Sequence, residues 1–248
     1  MSQMKDLEHN FEASIAYLQQ KSTSNNTIVE IKKQTLQQHA IASNTCIAIY
    51  NLARDEYEIL HWIFQDDDST EHNPMSRLAM EALIHPSDIE YCQKCKVTAI
   101  NLLDNIPTNE LMDYKLVYEC RLKNHRGTYH RIIHQFMVLE VNEQGNIGTL
   151  RLQLDRIAAE DSETAPQGMH IINTRTRKKQ VYHKETCLSE REIEIVKWLA
   201  VGYDSKRIAE ILFISENTVN NHRRKILLKT QTGDTGKALL YARAIGLI

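Results

Sequence analysis

A chain of 248 residues has room for two domains of ordinary size, and 42% hydrophobic with 25% charged residues argues against a fibre, a long disordered chain or a membrane protein. The net charge of −2 hides a division: residues 168–248 hold 15 Lys and Arg against 8 Asp and Glu, whereas residues 1–167 hold 15 against 24, so only the last third has the sign that suits phosphate. Five cysteines (Cys46, Cys92, Cys95, Cys120 and Cys187) spread over this length read as reduced thiols rather than a disulfide framework.

No run approaches the roughly 18 apolar residues of a membrane span, and no apolar core follows a basic start, so the expected location is the cytoplasm. Residues 1–40 place Phe11, Ile15 and Leu18, then Ile28, Ile31 and Leu36, at helical spacing, with a break at Ser22 to Asn26. This predicts a two-helix extension that either pairs with a second copy or covers its own sheet. TCIAIYNL and YEILHWIF, separated by ARDE, predict a hairpin. A helical region from Pro74 to about Leu103 is interrupted at His85-Pro86, and three strand-like runs follow, YKLVYECRLKN, TYHRIIHQFMVLEV and GTLRLQLDRI, with turns at His125 to Gly127 and Asn142 to Asn146. The expected fold is α+β, a five-stranded antiparallel sheet with helices over residues 41–158.

Around Asp161 the small polar stretch AAEDSETAPQG marks a linker, drawn over residues 159–186. Within it, NTRTRKKQVYHKET follows the short apolar piece Met169 to Ile172 and reads as a short strand or a tether.

Residues 187–248 predict an all-α domain of four helices. Ser189 with Glu192 three residues on is a capping box, Ile193, Val196, Trp198 and Leu199 supply an apolar face, and Gly202 stops the helix. Asp204 caps a second helix, Ser205 to Leu212; Phe213 and Ile214 form a tight apolar turn; Ser215 caps a third, Glu216 to about Lys229. Two short helices joined by about three residues is the helix-turn-helix plan. At about 100° per residue, Val219 and Ile226 of the third helix point one way, while Asn217, Asn221, Arg224 and Lys225 point the other. That outer face suits a major groove, since Arg reads guanine and Asn reads adenine bidentately while Lys meets phosphate.

The first domain resembles a PAS domain of the subgroup with an HP-x-D turn, given by His85-Pro86-Ser87-Asp88. The second resembles the LuxR-type DNA-binding domain through Leu188-Ser189-x-Arg191-Glu192, Lys206-x-Ile208-Ala209, Ile214-Ser215-x-x-Thr218-Val219-x-x-His222 and Ala242-x-x-x-Gly246-Leu247-Ile248. The resemblance implies a regulator of transcription that binds double-stranded DNA, with Asn220, Asn221 and Arg224 reading bases and Lys206, Thr218, Lys225 and Lys229 on the backbone. His222 is either a phosphate contact or a packing residue. A fourth helix, about Thr235 to Ala244, is implied as a dimer contact, so a homodimer is expected, with RNA polymerase left open as a further partner.

No G-x-S-x-G, P-loop, H-E-x-x-H or Gly-rich dinucleotide turn is present, so no enzyme is expected. Cys92-Gln93-Lys94-Cys95 has C-x-x-C spacing but no second pair, and His125, His130 and His134 read as surface residues; neither group predicts a metal or a cofactor. An apolar interior leaves room for a small-molecule ligand that the sequence does not name. Two rivals stand beside the regulator: a helix-turn-helix turned protein-interaction module, and a ligand-binding protein with secondary DNA affinity.

Overall fold

The computed structural model describes residues 2–21, 26–64, 74–160, 168–182 and 188–248. The expected break after the first helix falls outside them except for Asn26, as do residues 161–167 and 183–187 of the expected linker, while Ile28 and Ile31 lie where side chains are not described.

The extension forms α1 (Ser2–Lys21) and α2 (Asn26–Ser43). Phe11 and Ile15 of α1 are buried on the chain's own first domain. Strands β1 (Cys46–Asn51) and β2 (Glu56–His61) pair as a hairpin. Residues expected to begin a helix instead form β3 (Met75–Ser76), which pairs with β2, because Ser76 must be extended to cap α3 (Arg77–Glu81) with its hydroxyl. At the HP-x-D turn, His85 Nδ1 accepts from the Ser87 amide, and the buried Asp88 carboxylate accepts from the backbone amide and guanidinium of Arg121. The start of α4 (Ile89–Leu103) is thereby tied to β4 (Tyr114–Lys123).

Strands β5 (Tyr129–Val141) and β6 (Ile147–Glu160) complete the five expected strands. The turns between them share one device, an Asn side chain accepting two backbone amides: Asn124 from Arg126 and Thr128, and Asn142 from Gln144 and Asn146. Asn173 does the same for Arg175 and Thr176. It closes a hairpin of β7 (Met169–Asn173) and β8 (Lys179–Tyr182) within the stretch read as linker. The sheet therefore has eight strands rather than five, all antiparallel, in the order β3-β2-β1-β6-β5-β4-β7-β8. The extra strands extend its two edges, where pairing needs little apolar sequence and a charged outer strand suffices.

The sheet's two faces differ. One carries Ala48, Tyr118, Cys120, Ile132, Leu152 and Leu154 into an apolar core with α4. His134 lies in this core at 3% exposure, with His130 equally buried at 2%, so neither is a surface residue. Alternation along β5 puts both on the face that α4 covers. His134 Nε2 lies 3.1 Å from Cys120 Sγ, and burial together with Lys96 pushes its pKa down to about 3. Among the described residues no group of His, Cys, Asp and Glu is arranged to hold a metal ion, and no helix is long and apolar enough to cross a membrane.

The opposite face is half polar. Asp155 accepts from Thr45, Gln135 and Gln153. Arg131, 2% exposed, pairs with the equally buried Glu119 at 2.5 Å and donates its remaining nitrogen to the carbonyls of Thr230 and Gln231. Beside this pair, Val117, Ile133, Ile157 and Ile172 pack against Tyr241, Ala244 and Ile245 of the C-terminal helices, so the second domain sits on this face of the first.

Candidate nucleic-acid interface

Four helices build the C-terminal domain: α5 (Glu190–Val201), α6 (Ser205–Leu212), α7 (Glu216–Thr230) and α8 (Thr235–Ala244). Each N-terminus is closed by the side chain before it. Ser189, Asp204, Ser215 and Asp234 accept from the amides of Glu192, Arg207, Thr218 and Lys237. The capping box at Ser189 is complete, since the Glu192 carboxylate accepts from the Ser189 amide at 2.7 Å. Gly202 ends α5 at φ +97, a left-handed conformation with no steric cost for glycine.

Leu188, Ile195, Val196, Ile208, Val219, Ile226, Ala238 and Ala242 form the core of this domain. Ile214 packs on it, whereas Phe213 is 95% exposed. The left-handed backbone that ends α6 at Phe213 turns that side chain outward, so only half of the expected apolar turn is apolar contact. Arg191 links α5 to the end of α6 by donating to the Leu212 carbonyl.

On α7, Asn217, Asn221, Arg224 and Lys225 are exposed, and no hydrogen bond or ion pair joins their side chains to a described residue. Lys206 is exposed at the start of α6. Together these five exposed side chains of α6 and α7 carry three positive charges and two amides. Leu228, 75% exposed, lies within the same helical face, and the polar composition of that face concealed it.

The other candidates are engaged inside the domain. The Thr218 hydroxyl lies 2.8 Å from Ser215 Oγ at the cap of α7. Asn220 is half-buried, and its Oδ1 accepts from the Ser205 hydroxyl at 2.7 Å. His222 is half-buried, with a buried Nδ1 that meets no hydrogen-bond partner among the described residues, on the packed flank of the helix. Lys229 donates to Glu192 Oε2 at 2.7 Å. Burial alone would raise the Glu192 pKa, but the hydrogen bonds from Lys229 and Ser189 and the lysine charge hold it below the ordinary carboxylate value.

Sequence reasoning missed two arginines. Arg223 donates to Ser205 Oγ and Thr235 Oγ1, joining α6, α7 and α8. Arg131 reaches the C-terminal carbonyls of α7 from the first domain. The first could have been sought from its place on the flank of α7; the second depends on a contact 99 residues distant and leaves no local signal.

Residues 186–242 match the family model described as bacterial regulatory proteins, luxR family. The HTH-type quorum-sensing regulator RhlR of Pseudomonas aeruginosa is 50% identical over 62 residues, 25% of this chain and 26% of that one. The regulatory protein SdiA of Escherichia coli is 45% identical over 64 residues, 26% and 27% of the two chains. The chain thus matches about a quarter of the length of these relatives, both regulatory proteins by name. A solved structure of the phage VqmA–DPO complex overlays 88% of this chain and 91% of its own at 13% identity, with a TM-score of 0.30, too low to carry an argument.

Proposed function

We propose that this protein is a sequence-specific DNA-binding regulator of transcription, acting in the cytoplasm as a homodimer under a PAS-like sensory domain. The observation that carries the reading is the exposed set of Asn217, Asn221, Arg224 and Lys225 on one helix, α7, which forms no side-chain hydrogen bond or ion pair with a described residue. Arg224 and Asn221 reach base edges in the major groove, while Lys225 and Lys206 meet phosphates. Asn217 joins them at the start of the helix. Lys229 and Thr218 stabilise the domain instead, through Glu192 and the α7 cap.

The sensory reading is supported by a cavity of about 80 Å³ between α1, α4 and the apolar face of the sheet. Phe11, Leu103, Leu116 and Phe136 are among its walls. A site this apolar repels water and suits a small, largely uncharged molecule. Phe11 closes one side, with the cationic groups of Arg77 and Lys96, which share the Glu81 carboxylate, 5.4 and 5.2 Å from its ring centre.

Selection of bound sequences from a random duplex library with the full chain, at near-physiological salt, tests the function. A regulator of this kind enriches one motif, and an inverted repeat shows two copies bound. A protein-interaction module enriches none and shows no steep loss of duplex binding with salt.

A further inference from the structure

Asn220 stands apart from the exposed amides of α7 because one end of its side chain is already committed. Ser205, 6% exposed at the start of α6, lies 2.7 Å from Asn220 Oδ1 and 2.7 Å from Arg223 Nη1. A guanidinium has donors only, so the Arg223 contact must be a hydrogen bond into the serine oxygen. The single serine proton is then available to Asn220, and turning it away would leave a buried hydroxyl donor unmet. Arg223 is itself anchored through Nη2 to Thr235 Oγ1 at 3.2 Å. Donation therefore runs outward from Arg223, to Thr235 on one side and through Ser205 to Asn220 on the other, and it turns the carbonyl end of the Asn220 amide toward α6 and the NH₂ end away from it.

We propose that Asn220 is a donor-only contact on DNA, with its polarity set by Ser205 and Arg223 as positioning residues. Bidentate reading of adenine needs both ends of the amide, the oxygen accepting from N6 and the nitrogen donating to N7. With its oxygen held by Ser205, Asn220 instead donates to an acceptor: purine N7, which does not separate guanine from adenine, guanine O6, thymine O4, or a phosphate oxygen. This rests on the reading of α7 as the helix that meets DNA.

The test repeats the library selection with the wild-type chain and with Asn220→Ala, Ser205→Ala and Arg223→Lys, each first shown to melt as the wild type does. Asn220→Ala is expected to cost about 2- to 10-fold in affinity, the worth of a single hydrogen bond. A loss confined to one purine or thymine position identifies a base acceptor, and an equal loss on all sequences identifies a phosphate. A preference for adenine over guanine in the wild type that vanishes in Asn220→Ala requires the amide oxygen and overturns the proposal. Ser205→Ala, which frees the carbonyl and lets the amide turn over, alters the Asn220 contribution by a similar factor, whereas Arg223→Lys retains a donor to Ser205 and preserves it. If Ser205→Ala leaves that contribution unchanged, Ser205 does not set the amide and the proposal falls. If the wild type enriches no sequence at all, the reading of α7 beneath it fails as well.

Discussion

Two polar arrays in this molecule have similar chemistry and opposite surroundings. The one on the second face of the sheet, Arg131, Glu119, Gln135 and Asp155, is buried, and its members bind one another or the carbonyls of Thr230 and Gln231. The one on α7, Asn217, Asn221, Arg224 and Lys225, is exposed and forms no side-chain hydrogen bond or ion pair with a described residue. A buried polar group must be satisfied internally or the fold pays its desolvation. An exposed group is under no such demand, and a run of them without internal partners, two carrying like charge, is available to something outside the chain. Pairing, rather than residue type, separates structure from interface here, and it moves Lys229 from the second class to the first.

The largest effect should come from breaking the buried array. Arg131→Ala leaves Glu119 without its counter-charge at 1% exposure and should lower stability by about 3–5 kcal/mol in denaturant unfolding. Replacing both partners, Arg131→Met with Glu119→Leu, should recover most of that loss, since no lone charge then remains. Failure of the double substitution to recover would show that the contact with the α7 carbonyls, not charge pairing, dominates.

A smaller effect belongs to the cap. Ser189→Ala removes one half of the capping box and should cost about 1 kcal/mol, read as a lower melting temperature with its largest expression in the C-terminal domain.

Smaller still is Lys229→Met. The lysine side chain is 37% exposed, so its pair with Glu192 is partly screened and worth less than about 1 kcal/mol. Because the folded-state pKa of Glu192 is depressed, its contribution is present above the ordinary carboxylate pKa and lost as pH falls through the folded value. Melting curves of Lys229→Met against pH should therefore fall less steeply on the acid side than those of the wild type, with duplex affinity at neutral pH within a factor of about two. A large, sequence-independent loss of DNA binding would return Lys229 to the backbone-contacting set.

The C-terminal domain was legible because its signals are local: caps at Ser189, Asp204 and Ser215, a stop at Gly202, and apolar spacing that predicts burial of Val219 and Ile226. The central strands of the first domain were legible for the same reason, each turn between them holding an Asn with a Gly three residues on, Asn124 with Gly127 and Asn142 with Gly145. What the sequence concealed depends on distant partners. The hairpin of β7 and β8 has only a short apolar strand and a charged one, and it exists because β4 offers an edge to Met169–Asn173. His130 and His134 are polar by type but buried by the alternation of β5 beneath α4. The engagement of Asn220 depends on Ser205, on a neighbouring helix, which no helical-wheel argument on α7 includes.

The most direct test of the claim that the exposed face of α7 reads DNA is a titration of the selected duplex and of random duplex with the wild-type chain and Arg224→Ala. Arg224→Ala should lose about 1–3 kcal/mol on the selected site and far less on random DNA, with folding stability within about 0.5 kcal/mol of the wild type. Equal losses on both duplexes would reduce Arg224 to a phosphate contact and contradict the account.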